Sequence, residues 1–163
     1  MNSPAMLQEI SFTVSPLAGE FSARVRRTLR DDFGRSVTVT IAEGGEPLRD
    51  QVRRASPGER IILCSHQAVP LPSLFAEIGP IFISAEPASP APLWRDELPP
   101  GYFPRTFALR AYDGQDRITD SAICEPAGAP AKIREFLIRP DVAYVHARFA
   151  GHGCYACRFD RTG

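Results

Sequence analysis

Lysine is almost missing from this chain. Lys132 stands alone beside 18 arginines, which together make up the 19 basic residues, and 19 acids bring the formal charge to zero. A neutral chain lacks the sustained positive field that coating nucleic acid or an anionic membrane requires, so neither is expected as a partner, although a small local patch of charge stays possible. Long apolar runs are lacking too, with no stretch of about eighteen apolar residues that could span a bilayer. The opening MNSPAMLQEI has neither a basic region nor an apolar one, which predicts a cytoplasmic protein. Cysteine is sparse: Cys64, Cys124, Cys154 and Cys157 are too few for a dense disulfide framework and are expected as reduced thiols. Also absent are the Gly-x-Ser-x-Gly elbow, the His-Glu-x-x-His metal motif and a Gly-rich dinucleotide fingerprint, so no cofactor is expected. Gly44-Gly45 and Gly151-x-Gly153 are too short to cradle phosphate and read as turns.

What is present is arginine and proline. The 16 prolines are about twice the usual share, and with the arginine excess they fit a GC-rich coding sequence. At this length a chain buries roughly 70% of the surface it would expose unfolded, so one compact domain over residues 1–163 needs no metal or disulfide staple.

Local patterns predict the elements. A first strand spans Glu9 to Val14. Phe21, Val25 and Leu29 recur every four residues and predict a helix from Glu20 to Arg30 with a basic face of Arg24, Arg26, Arg27 and Arg30, which reads as solvated because Asp31-Asp32 follow. Val37 to Ile41 reads as a strand. Pro47 with Leu48, Val52 and Ala55 predicts a short second helix. Strands follow at Ile61 to Ser65 and Gly79 to Ser84. Residues 86–104, with six prolines and Trp94, predict an extended but ordered excursion held by apolar anchors. Thr106 to Tyr112 and Arg117 to Cys124 flank Asp113-Gly114, a strong hairpin signal. A last helix begins near Pro130 and ends before Pro140, and the strands Val142 to Phe149 and Cys154 to Asp160 close the chain. The fold class expected is therefore α+β, a mainly antiparallel sheet with about three helices packed on it.

Four segments, PGERIIL (57–63), GPIFISAEP (79–87), LRAYDGQDRITD (109–120) and YVHARFAGHGCYACRFDR (144–161), resemble the bacterial family known as domain of unknown function 1203. The resemblance runs from about residue 45 onward. It implies a compact stand-alone bacterial domain and brings no activity. Members often carry Pro-Cys-Arg where this chain has Pro47-Leu48-Arg49, so no thiol chemistry is expected on that segment.

The richest chemistry lies in the last two strands. Tyr144, His146 and Arg148 alternate onto one face, and so do Cys154, Arg158 and Asp160, with Tyr155, Cys157 and Phe159 opposite. Matching the polar sets places His146 across from or diagonal to Cys154. Three readings follow. The first makes Cys154 and His146 a catalytic thiol–imidazole pair. The second uses His152, Cys154 and Cys157 as metal ligands, which strand geometry disfavours because residues three apart point oppositely, so no metal is expected. The third, preferred because it asks least, has Arg148 and Arg158 recognising the charge of a small anionic molecule and His146 hydrogen-bonding it, with Arg110 and His152 in support. Trp94 in the Pro-rich segment offers a further alternative, a protein-interaction module.

Overall fold

The computed structural model describes residues 10–87 and 89–162; Glu9, the expected start of the first strand, lies outside them. Two five-stranded sheets form the body. The first contains β1 (Ser11–Ser15), β7 (Phe107–Tyr112), β8 (Ile118–Cys124), β9 (Tyr144–Phe149) and β10 (Tyr155–Thr162), in the order β1-β10-β9-β7-β8 and antiparallel throughout. The second contains β2 (Thr38–Ile41), β3 (Pro47–Leu48), β4 (Arg53–Arg54), β5 (Arg60–Val69) and β6 (Glu77–Ser84), ordered β2-β5-β6-β3-β4, with one parallel contact between β3 and β6. The mainly antiparallel expectation holds, in two sheets rather than one.

Two α-helices are present among the described residues, not about three. The first, α1 (Gly19–Thr28), ends where Leu29 enters the left-handed region at φ 53°, its N–H still bonded to the Val25 carbonyl. The second, α2 (Ala129–Leu137), follows a single 3-10 turn at Pro126–Gly128. The expected helix at residues 47–55 is instead the β3–β4 hairpin. Its Leu48, Val52 spacing does produce one helical-type bond, Val52 N–H to the Leu48 carbonyl at 2.8 Å, but Val52 then turns left-handed (φ 51°) and reverses the chain. The neighbouring strand claims the rest: Arg49 N–H donates to the Phe82 carbonyl at 3.0 Å, and the buried Asp50 carboxylate accepts Ser84 N–H at 3.0 Å and pairs with Arg26. A short apolar stripe fits either structure, and here the strand edge competes better for the backbone donors.

Strand alternation sorts the first sheet into two faces. Val145 and Ala147 of β9 join Phe12, Val14, Leu109, Ala111 and Phe159 in the main core, which Ile133, Phe136 and Leu137 of α2 cover. Phe21 and Val25 of α1 instead pack on Ile62, Cys64, Ile81 and Ile83 of the second sheet. The Pro-rich stretch is pinned along β1: Val14 N–H donates to the Trp94 carbonyl and Asp96 N–H to the Phe12 carbonyl, each at 3.0 Å. Trp94 itself is half-buried against the main core. No helix among the described residues is long and apolar enough to cross a membrane.

Candidate functional site

The C-terminal hairpin carries a bulge that alternation did not reveal. Arg158 lies opposite His146, Cys157 opposite Ala147 and Tyr155 opposite Arg148, leaving Ala156 as the extra residue. An inserted residue inverts the facing of everything before it. Tyr155 therefore joins the face of His146, with ring centroids 4.9 Å apart. Cys154 falls instead beside Phe149, whose N–H donates to the Cys154 carbonyl at 3.0 Å. The expected juxtaposition of Cys154 with His146 is corrected accordingly, since Arg158 takes that place.

The face bearing His146 and Arg148 is a closed seam, not a surface. His146 is 2% and Arg148 3% exposed, because β5 and β6 of the second sheet lie across them. Three tyrosines, Tyr112, Tyr144 and Tyr155, ring the imidazole at 4.9 to 5.0 Å, and His66 of β5 packs at a tilt against Tyr155 from the other sheet, with centroids 5.6 Å apart. Burial first, then the charges of Arg148 and Arg158, pull the His146 pKa down to about 3; burial pulls His66 down to about 4. Both imidazoles keep an Nδ1 with no partner among the described residues, as suits rings held neutral in an apolar seam.

The arginines of this face are already engaged. Arg148 donates from Nη1 to Glu77 Oε1 at 2.9 Å and to the Gly153 carbonyl at 2.9 Å, with Nη2 on Glu77 Oε2. Arg110 reaches the same carboxylate at 3.2 Å. Arg158 bonds Asp160 at 2.8 Å and lies 4.0 Å over the Tyr144 ring. A cavity of about 200 Å³ opens beside Arg148, with His66, Glu77, His152 and Cys154 in its wall.

A larger cleft, about 420 Å³, opens on the other side of Cys154 and His152. Its floor is apolar, with Leu63, Phe82 and Phe149, and three arginines border it: Arg49, Arg54 and Arg105. None of the three has a carboxylate within ion-pair distance among the described residues. Arg49 is only 4% exposed. Carbonyls hold it in place: Nε donates to Tyr155 and Nη1 to Pro47, both at 2.8 Å. Arg54 donates to the Tyr102 carbonyl from Nε and Nη2 and to Gly45 from Nη1. Both guanidinium groups lie over the Phe149 ring, at 5.2 and 5.0 Å. Desolvation lowers the pKa of both, yet an arginine stays protonated at neutral pH. The cleft is thus an apolar pocket rimmed by cations whose charge no nearby carboxylate meets, two of them held in place by carbonyls.

Of the residues singled out in the sequence, Cys154 and His152 line both cavities, Arg148 lines the smaller one, and His146, Arg110 and Arg158 line neither. Cys157 is buried in the main core, where burial pushes its thiol pKa up. Among the described residues no three His, Cys, Asp or Glu side chains gather as metal ligands. Arg49, Arg54 and Arg105 were missed as a group because residues 47–55 were expected to form a helix and Arg105 lies some fifty residues away along the chain. Only Arg49 carried a signal, as the arginine of the tripeptide matched to Pro-Cys-Arg.

The family model described as protein of unknown function (DUF1203) matches residues 45–161, a span that includes every residue of the cleft and of the seam. No curated protein and no solved structure matches the chain.

Proposed function

Because the chain belongs to the DUF1203 family, whose description assigns no activity, its own side chains must carry the argument, and we propose that it binds a small anionic ligand at the end of the C-terminal hairpin. The observation behind this reading is the convergence of Arg49, Arg54 and Arg105 on one cleft without a carboxylate to neutralise them. Guanidinium groups match a carboxylate or phosphate in a forked geometry, and those held by carbonyls are already oriented. The apolar floor favours an anion with an apolar body, such as an aryl carboxylate, over a bare inorganic ion. At about 420 Å³ the cleft falls within the usual range for small-molecule sites.

Thermal-shift titration with benzoate, phenyl phosphate and inorganic phosphate tests the proposal. A ligand present at about a hundred times its Kd stabilises the fold by about 2.7 kcal/mol. Benzoate or phenyl phosphate should raise the Tm of the native chain, and the rise should vanish in Arg54→Ala combined with Arg105→Ala. An equal rise in the double variant, or none with any of the three anions, overturns it.

A further inference from the structure

The four cysteines occupy different surroundings. Cys64 and Cys157 are buried, and burial pushes the Cys64 thiol up to about 12. Cys124 is half-buried on β8, at the edge of the first sheet. Of the four, Cys154 alone borders the cleft, and it also borders the smaller cavity. The second observation concerns the wall it shares with Arg49. That side chain is 4% exposed, its Nε and Nη1 are spent on carbonyls, and its Nη2 has no hydrogen-bond partner among the described residues. Nη2 is not sealed from solvent, and Arg49 lines the cleft, so an acceptor that enters the cleft can take this open donor.

We infer that Cys154 is a site of reversible thiolation by small disulfides that carry carboxylates, with Arg49, Arg54 and Arg105 gripping the carboxylate while the sulfurs meet. This rests on the reading of the cleft as an anion site. The Cys154 thiol gives up its proton, and the thiolate attacks one sulfur of the disulfide. A new bond forms between Cys154 Sγ and that sulfur, the original sulfur–sulfur bond breaks, and the departing thiolate takes the bonding electrons and a proton. The disulfide is itself the oxidant, being reduced to one thiol for each protein thiolated, so no further co-reactant is needed. A small free thiol reverses the step by the same exchange. Approach of the anion is favoured by the three positive charges.

Two probes of opposite charge separate this from ordinary thiol exposure. Dithiobis(nitrobenzoate) carries a carboxylate on each half, and cystamine an ammonium. Each is reacted with the full chain bearing Cys124→Ser, adducts are read by intact mass and peptide mapping, and rates are normalised to a small reference thiol. Cys154 should take the nitrobenzoate adduct at least about tenfold faster than the cystamine adduct on this scale, the range that a focused local field produces. Arg54→Ala with Arg105→Ala should erase the preference, and added salt should weaken it. Equal normalised rates, or adducts at positions other than Cys154, overturn the inference. The benzoate thermal shift, measured in parallel on Cys154→Ser, tells the two readings apart. A shift that persists alongside indifferent thiol rates overturns thiolation alone, whereas loss of both overturns the anion cleft as well.

Discussion

Arg148 and Arg49 are buried to nearly the same degree, 3% and 4% exposed, but their charges are met differently. Arg148 lies in the seam between the sheets and forms a two-pronged pair with Glu77. Arg49 lies at the edge of the cleft and has only carbonyls and the Phe149 ring. Removing a cation from water costs several kcal/mol, which a well-placed carboxylate offsets and a pair of carbonyls offsets only in part. In charge, the seam is therefore balanced, and the cleft is left for an incoming anion to complete. The same arginine excess serves both, and the presence of a nearby acid separates them.

Acid should break the seam first and with the largest effect. His146 and His66 have folded pKa values of about 3 and about 4, against about 6.5 in the unfolded chain. Between those limits the unfolded chain binds more protons, so stability is full above about pH 6.5 and falls as pH drops, by about 1.4 kcal/mol per pH unit for each histidine. Urea titrations from about pH 7 down to about pH 5 should show this slope, and His146→Phe should roughly halve it. A flat profile would remove the distinction drawn between seam and surface.

Glu77→Gln comes next. It strips the carboxylate from Arg148 and Arg110 together, and breaking a buried pair costs about 3–5 kcal/mol. The Glu77 side chain is 40% exposed, so about 2 kcal/mol is expected from chemical denaturation. The mildest change sharpens the comparison from the other side. Arg105→Ala in the exposed rim of the cleft should leave stability within about 0.5 kcal/mol while weakening the benzoate-induced rise in Tm. A stability loss as large as that of Glu77→Gln would mean that the cleft arginines, too, are structural.

Much of this arrangement could be read along the chain. The Asp113-Gly114 hairpin, α2 between Pro130 and Pro140, the order of the long strands and the docking of the Pro-rich segment follow from local signals: turn residues, helix boundaries and apolar periodicity. The hairpin at residues 47–54 could not be read, because a two-residue strand has too few positions to show a period and its partner β6 is some thirty residues away. Nor could the bulge at Ala156, since nothing in TyrAlaCysArgPhe separates one continuous alternation from an interrupted one. Cys154 was singled out from the sequence, but its neighbours were assigned from a strand geometry that the bulge shifts by one residue.

The sequence by itself determined that Tyr144, His146 and Arg148 share one face of β9 and Val145 and Ala147 the other, because successive side chains of a strand must alternate. It also determined that charge would be local, because a chain of zero net charge can be positive only where acids are absent. Which side chains meet water was left to tertiary structure: β5 and β6 cover His146 and Arg148, turning that part of an expected binding surface into a seam. The position of the uncompensated charge was decided there too. Arg49 and Arg54 of the β3–β4 hairpin meet Arg105 only when two distant segments fold together, and whether each finds a carboxylate depends on distances in space that no spacing along the chain encodes.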